Sequence, residues 1–155
     1  MMYALLPFIF AVFWTGLNAV QSTQNANSTP PATQIIANTS GQSFYAYRNA
    51  VLTYSIAHPA TTGNIATGSL TLPPGALPSG IGNNIATSGN GRIVYAWATL
   101  PPNVVNTLVQ GLQGDPSIGT VNGTQWISPV YGPQTVTVPN YVPNGAALSI
   151  QKIGN

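Results

Sequence analysis

The chain has 155 residues, room for one domain of ordinary size, and 44% of them are apolar, enough to fill a core. Its charge is abnormal: Asp, Glu, Lys and Arg make up 3% of the sequence, against about 25% in a typical soluble domain. Arg48, Arg92, Lys152 and Asp115 are the whole set, which excludes the clustered cations that nucleic-acid binding needs. The absence of cysteine excludes disulfides and thiolate chemistry.

The first stretch, Met2 to Val20, contains no Asp, Glu, Lys, Arg or His. As a helix it would span about 28 Å at ~1.5 Å per residue, close to a hydrocarbon thickness of about 30 Å. Leu5, Leu6, Phe8, Ile9, Phe10, Val12, Phe13 and Leu17 would form its lipid-facing surface, each contributing roughly 0.3–0.6 kcal/mol to insertion near the centre. A transmembrane anchor over 1–20 is therefore expected. A cleaved signal peptide is the alternative, with Leu17-Asn18-Ala19 as a passable cleavage site but no preceding Lys or Arg. A core helix fits less well, because bulky residues occupy every face.

Residues 21–39 form a polar stretch containing Pro30-Pro31, which reads as a linker or a helix extension. A domain over 40–155 follows. Ser40 or Ser43 can cap a helix in which Phe44, Tyr47, Val51 and Tyr54 share a stripe widened by Ala50 and Leu52. His58-Pro59 ends it. The period then shortens: IATGSLTL at 65–72 reads as a strand, and the Ser88–Gly91 turn feeds a buried strand through RIVYAWAT. A second helix is expected after Pro101-Pro102, with Val104, Val105, Leu108, Val109 and Leu112 at helical spacing, ending near Gly114. Asn122-Gly123 is a hairpin turn, and 135–138 and 146–153 are final strands. The expected fold is α+β: an N-terminal transmembrane helix, then an amphipathic helix packed on an antiparallel β-sheet, in a pilin-like outline.

Chemistry is scarce. His58, Asp115 and Lys152 are the side chains available for acid–base work. No Gly-x-Ser-x-Gly elbow supports a serine nucleophile, and His58 at a helix C-terminus is explained by the helix dipole. One His and one Asp cannot make a zinc or calcium site, and a lone carboxylate cannot run glycosidase chemistry. The glycine pairs at 80–82 and 89–91 continue into no phosphate-binding motif. No catalytic, cofactor or metal site is expected, and no small-molecule substrate. Arg48, flanked by Tyr45, Tyr47 and Leu52, has two readings. It is a snorkelling side chain at the core edge, paired with a backbone carbonyl or stacked on a tyrosine, or it is a contact for a partner. Trp97 and Trp126 read as core.

The apolar start, FYAYRNAVLTYSIAHPATTG at 44–63, GSLTLPPG at 68–75, GRIVYAWA at 91–98 and VPNGAALSI at 142–150 together resemble the PilM proteins of type IVb (thin) pilus operons, found on conjugative plasmids and related chromosomal loci. The resemblance covers nearly the whole chain. It implies a bacterial inner-membrane protein with its C-terminal domain in the periplasm, assisting pilus assembly through contacts with other assembly proteins or copies of itself, and it carries over no catalytic or ligand residue. A pilin-like filament subunit is the second expectation, although the basic leader and the glutamate of bacterial prepilins are absent here. A secreted binding module with its signal peptide removed is the third.

Overall fold

The structure, a computed structural model, describes residues 32–154 apart from Ala76. The anchor expected at Leu5, Leu6, Phe8, Ile9, Phe10, Val12, Phe13 and Leu17 lies outside the described residues; among these, no helix is long and apolar enough to cross a membrane.

Helix α1 runs Ala32–Ala57, so it starts ahead of the Ser40 or Ser43 cap and takes in the end of the polar stretch. Gly41, Phe44, Tyr47, Arg48, Val51 and Ser55 are buried, a spacing of three and four that forms one face of a helix. Tyr54, expected on this stripe, is half-buried and yields the inner position to the smaller Ser55. The helix ends with His58 N donating to Tyr54 O at 2.9 Å, because Pro59 cannot continue the ladder. Arg92 closes the terminus: Nη2 donates to Ser55 O at 2.8 Å and Nη1 to the carbonyls of His58 and Thr61 at 3.3 Å. A cation is favoured where the helix dipole is negative.

The remaining elements build one six-stranded sheet and a short helix. They are β1 (Gly82–Ser88), β2 (Gly91–Ala98), α2 (Val104–Gly111), β3 (Ile118–Asn122), β4 (Gln125–Ser128), β5 (Gly132–Thr137) and β6 (Ala147–Ile153). The order is β1-β2-β6-β3-β4-β5, antiparallel throughout. This is the expected α+β arrangement of a helix on an antiparallel sheet.

Two elements differ from the sequence reading. IATGSLTL is not a strand but an irregular segment with a 3-10 turn at Thr67–Ser69. Ile65 is buried like a strand residue, yet its N–H and C=O bond to the side-chain amide of Asn83, at 2.7 and 2.9 Å, instead of a ladder. Conversely β1, with the sequence GNNIATS, carries too little apolar alternation to announce itself. It forms because it pairs along its full length with β2, from Gly82↔Trp97 to Ser88↔Gly91.

Alternation along β2 and β6 divides the core between two faces. On the helix face, Tyr47 and Val51 pack on Ile85, Val94 and Ala96, and Phe44 packs with Val105, Val109, Ile118 and Ala147. Gly41 lies where α1 meets α2, since a Cβ there would sit 3.2 Å from Val104 Cγ1. On the opposite face, Tyr95, Trp97, Val121, Trp126 and Leu148 are closed over by Val138, Val142 and Ala146 from the connection before β6. Both sheet edges are guarded without charge. Gly63 exchanges two 2.8 Å backbone bonds with Ile85 beside β1, while β5 contains Pro133 and its pairing with β4 is irregular at Gln125/Trp126. Proline and bulges are among the devices that discourage strand addition.

Candidate functional site

Arg48 is the one site residue nominated from sequence that falls among the described residues, and the structure places it inside, 6% exposed. Nε donates to Ser149 Oγ at 2.9 Å, Nη2 to Ser117 Oγ at 2.5 Å, and Nη1 to Asn49 Oδ1 at 3.3 Å. Nη2 also lies 3.1 Å from Asp115 Oδ2, and the guanidinium stacks over the Tyr45 ring at 5.2 Å. Asp115 is itself fixed by its neighbour: Oδ1 accepts from Ser117 N at 2.9 Å and from Ser117 Oγ at 2.6 Å. The clasp joins α1, the α2–β3 connection and β6. It uses the only carboxylate side chain in the sequence, so the acid is held as an ion-pair partner rather than presented as a base. The tyrosine stack is one form of the core-edge reading of Arg48, but the guanidinium is buried rather than snorkelling to solvent, and its partners are side chains rather than a backbone carbonyl. The missed feature is the pairing with Asp115, and its signal was available: a cation in an apolar stripe needs an anion, and the chain has one.

His58 and the buried or half-buried tyrosines are likewise engaged. His58 is exposed, stacks on Tyr54 at 4.0 Å between centroids, and has Nδ1 3.0 Å from Tyr54 O. Burial pushes the Tyr47 hydroxyl above the ordinary 10.0, with the hydrogen bond from Asn83 pulling the other way. Burial also raises Tyr95, and raises Tyr141 together with the nearby Tyr95 hydroxyl. These tyrosines stay neutral near pH 7 and act as packing and hydrogen-bonding groups. Tyr141 Oη lies 3.1 Å from Asn84 Oδ1.

Two grooves flank α2. One groove, about 370 Å³, runs between the C-terminal half of α2 and the β4–β5 turn, lined by Asn106, Val109, Gln110, Gly114, Pro129 and Val130. A second, about 230 Å³, opens at the other end of α2 beside Asn103, Asn106 and Thr120. The turn is built by Ser128, whose buried Oγ accepts from Val130 N at 3.2 Å and Tyr131 N at 3.4 Å. It thereby thrusts Val130 (44% exposed) and Tyr131 (67% exposed) outward. Neither groove is lined by an ionisable side chain. Amide hydrogen bonds, methyl contacts and an aromatic ring are the available chemistry, which suits contact with another protein surface. Sequence reasoning missed this surface, although Val-Tyr in a turn, where polar residues are the rule, was a usable signal.

The profile of the PilM family matches residues 9–150. The chain belongs to the PilM family. That family serves type IV pilus biogenesis and is not a known enzyme family. A crystal structure of the PilM protein of Escherichia coli B7A shares the fold at a TM-score of 0.58, with 19% identity over 79% of this chain and 96% of that one. No curated protein matches the chain. The family therefore rests on the sequence profile, and the solved relative supports the architecture of helix on antiparallel sheet.

Proposed function

We propose that the protein is a non-catalytic inner-membrane component that assists type IV pilus assembly through periplasmic protein–protein contacts. The observation that carries this reading is the use of Asp115. The sole carboxylate side chain is tied to Arg48 and Ser117, and the surface around α2 offers amides, methyl groups and Tyr131. Those groups suit the recognition of protein surfaces. The apolar run from Met2 to Val20 supports a membrane anchor.

Deleting the gene in a piliated strain should abolish or sharply reduce surface pili, and the full-length chain should restore them from an alkali-resistant membrane fraction. Replacing Phe13 with Arg should shift the protein out of that fraction, since one charge at mid-helix costs about 2.5–3.5 kcal/mol on insertion scales. Unchanged piliation in the deletion strain would remove the assembly role. Recovery of the chain in sheared filaments would make it a filament subunit instead, and a soluble form beginning near Val20 would make it a secreted module.

A further inference from the structure

We propose that the face built by α2 and the β4–β5 turn is a homotypic contact, in which Tyr131 of one copy enters the α2 groove of a second copy. This rests on the reading above, that the protein works through protein contacts, and names one partner and the surface it uses.

The face carries both halves of a self-complementary joint. Tyr131 and Val130 project from the turn, and the groove of about 370 Å³ opens directly beside them, with buried Val109 on its wall. A patch that holds a protrusion and a recess side by side pairs with itself under two-fold symmetry, since each copy supplies what the other receives. Aromatic residues are the usual anchors of such contacts.

Charge selects a second copy over another partner. An ordinary protein surface would bring Lys, Arg, Asp and Glu against a face with nothing to pair them, and each buried unpaired charge opposes association. A second copy brings almost none, because charged residues are 3% of the chain, and Asp115 is already held by Arg48. The guarded edges at β1 and β5 argue against strand addition as the route between copies.

Asn103 (φ 65°) and Gln113 (φ 56°) are the non-glycine residues with left-handed backbone among those described, and they bracket α2. Both side chains are exposed. Asn adopts this conformation readily, and Gln113 occupies the left-handed position that closes the helix, so the two mark the ends of α2 and leave their amides at the surface.

The sequence has no cysteine, so disulfide mapping has no background. Two tagged forms of the full-length chain, one Tyr131→Cys and one Gln110→Cys, would be co-expressed in membranes and oxidised. Cross-linked dimer should form well above the level given by Ile56→Cys with Gln110→Cys. Ile56 is 60% exposed, at the end of α1 that Arg92 closes from β2, away from the β4–β5 side of the sheet. In the cysteine-free protein, Tyr131→Lys should weaken self-association in detergent by roughly thirty-fold or more, the effect of losing one aromatic anchor, with an unchanged circular dichroism spectrum. The proposal is overturned if the Tyr131/Gln110 pair cross-links no better than the Ile56 control. It is equally overturned if Tyr131→Lys leaves self-association intact, or if Tyr131→Cys is captured by a different protein instead. Cross-linking reads the contact and piliation of the deletion strain reads the assembly role, so each fails on its own.

Discussion

The two faces of the sheet are closed by different means. On the helix face, polar clips are set into the apolar packing: Arg48 with Asp115, Ser117 and Ser149, and Asn83 with Tyr47 and Ile65. On the other face the closure is aliphatic and aromatic, with Val138, Val142 and Ala146 laid over Tyr95, Trp97, Trp126 and Leu148. Its side-chain hydrogen bonds are few, among them Trp126 Nε1 donating to Leu148 O at 3.1 Å. Hydrophobic burial is non-directional, and the direction on the second face comes from the backbone: Val138 N donates to Thr124 O, Val121 N to Ala146 O and Gly145 N to Val121 O. The clips add direction, fixing where α1 sits along the sheet. Three of the four charged side chains serve this internal ordering, Arg48 and Asp115 as a pair and Arg92 as the end of α1. The fourth, Lys152, is exposed, and the surface around α2 carries uncharged groups.

The sharpest way to break this contrast is to remove half of the Arg48–Asp115 pair. Asp115→Ala leaves a buried guanidinium without its anion, and Arg48→Met strands the carboxylate. Each should cost about 3–5 kcal/mol, read as a lower urea midpoint. Arg48→Met combined with Asp115→Leu should cost clearly less than the two singles added together, because no charge then remains to be buried. Additive losses would mean that the two groups act separately and that the clasp is not one unit.

The apolar face should fail by crowding instead. A Cβ at Gly119 would lie 2.4 Å from the Ile127 carbonyl oxygen and 2.6 Å from Trp126 Nε1. Gly119→Ala should therefore lose about 1–3 kcal/mol, with a changed near-ultraviolet circular dichroism signal from the displaced indole. Gly68→Ala, where a Cβ meets nothing within 4 Å, should stay within about 0.5 kcal/mol of the parent. Equal effects at both positions would show that the face does not depend on the close approach of Trp126 to β3.

Much of this division was legible in the residues. The stripe through Phe44, Tyr47 and Val51 and the strand RIVYAWA are strong periodic signals, and both stand in the structure. β1 was not legible, because Asn83 looks like a turn residue until its amide is seen bonding Ile65 and Tyr47. The same clip explains why IATGSLTL misled: its apolar alternation is satisfied by burial of Ile65 and Leu70, while a side chain supplies the backbone bonds of Ile65. Contacts between residues far apart in sequence, such as Arg48 with Asp115 or Gly41 with Val104, leave no local period to read. The α2 groove is hidden for the same reason, being assembled from a helix and a turn that only the sheet brings together.

The smallest expected effect tests whether the surface around α2 is shaped for stability or for contact. Helix α2 ends in a Schellman-type closure, with Gly114 N donating to Val109 O at 2.9 Å and Gln113 N to Gln110 O at 3.2 Å. The left-handed position belongs to Gln113 at φ 56°, where glycine is the usual occupant because a Cβ is strained there. Gln113→Gly should stabilise the protein by about 0.5–1 kcal/mol, the strain relieved less the added freedom of the unfolded chain. The urea midpoint should rise while self-association through the groove weakens, since the exposed amide next in sequence to the groove residue Gly114 is lost. If the substitution stabilises the fold and leaves self-association untouched, Gln113 contributes nothing to the contact and the joint rests on Tyr131 alone. If it destabilises the fold, the side chain of Gln113 stabilises the α2 terminus by more than its backbone strain costs, and α2 is ordered for stability first.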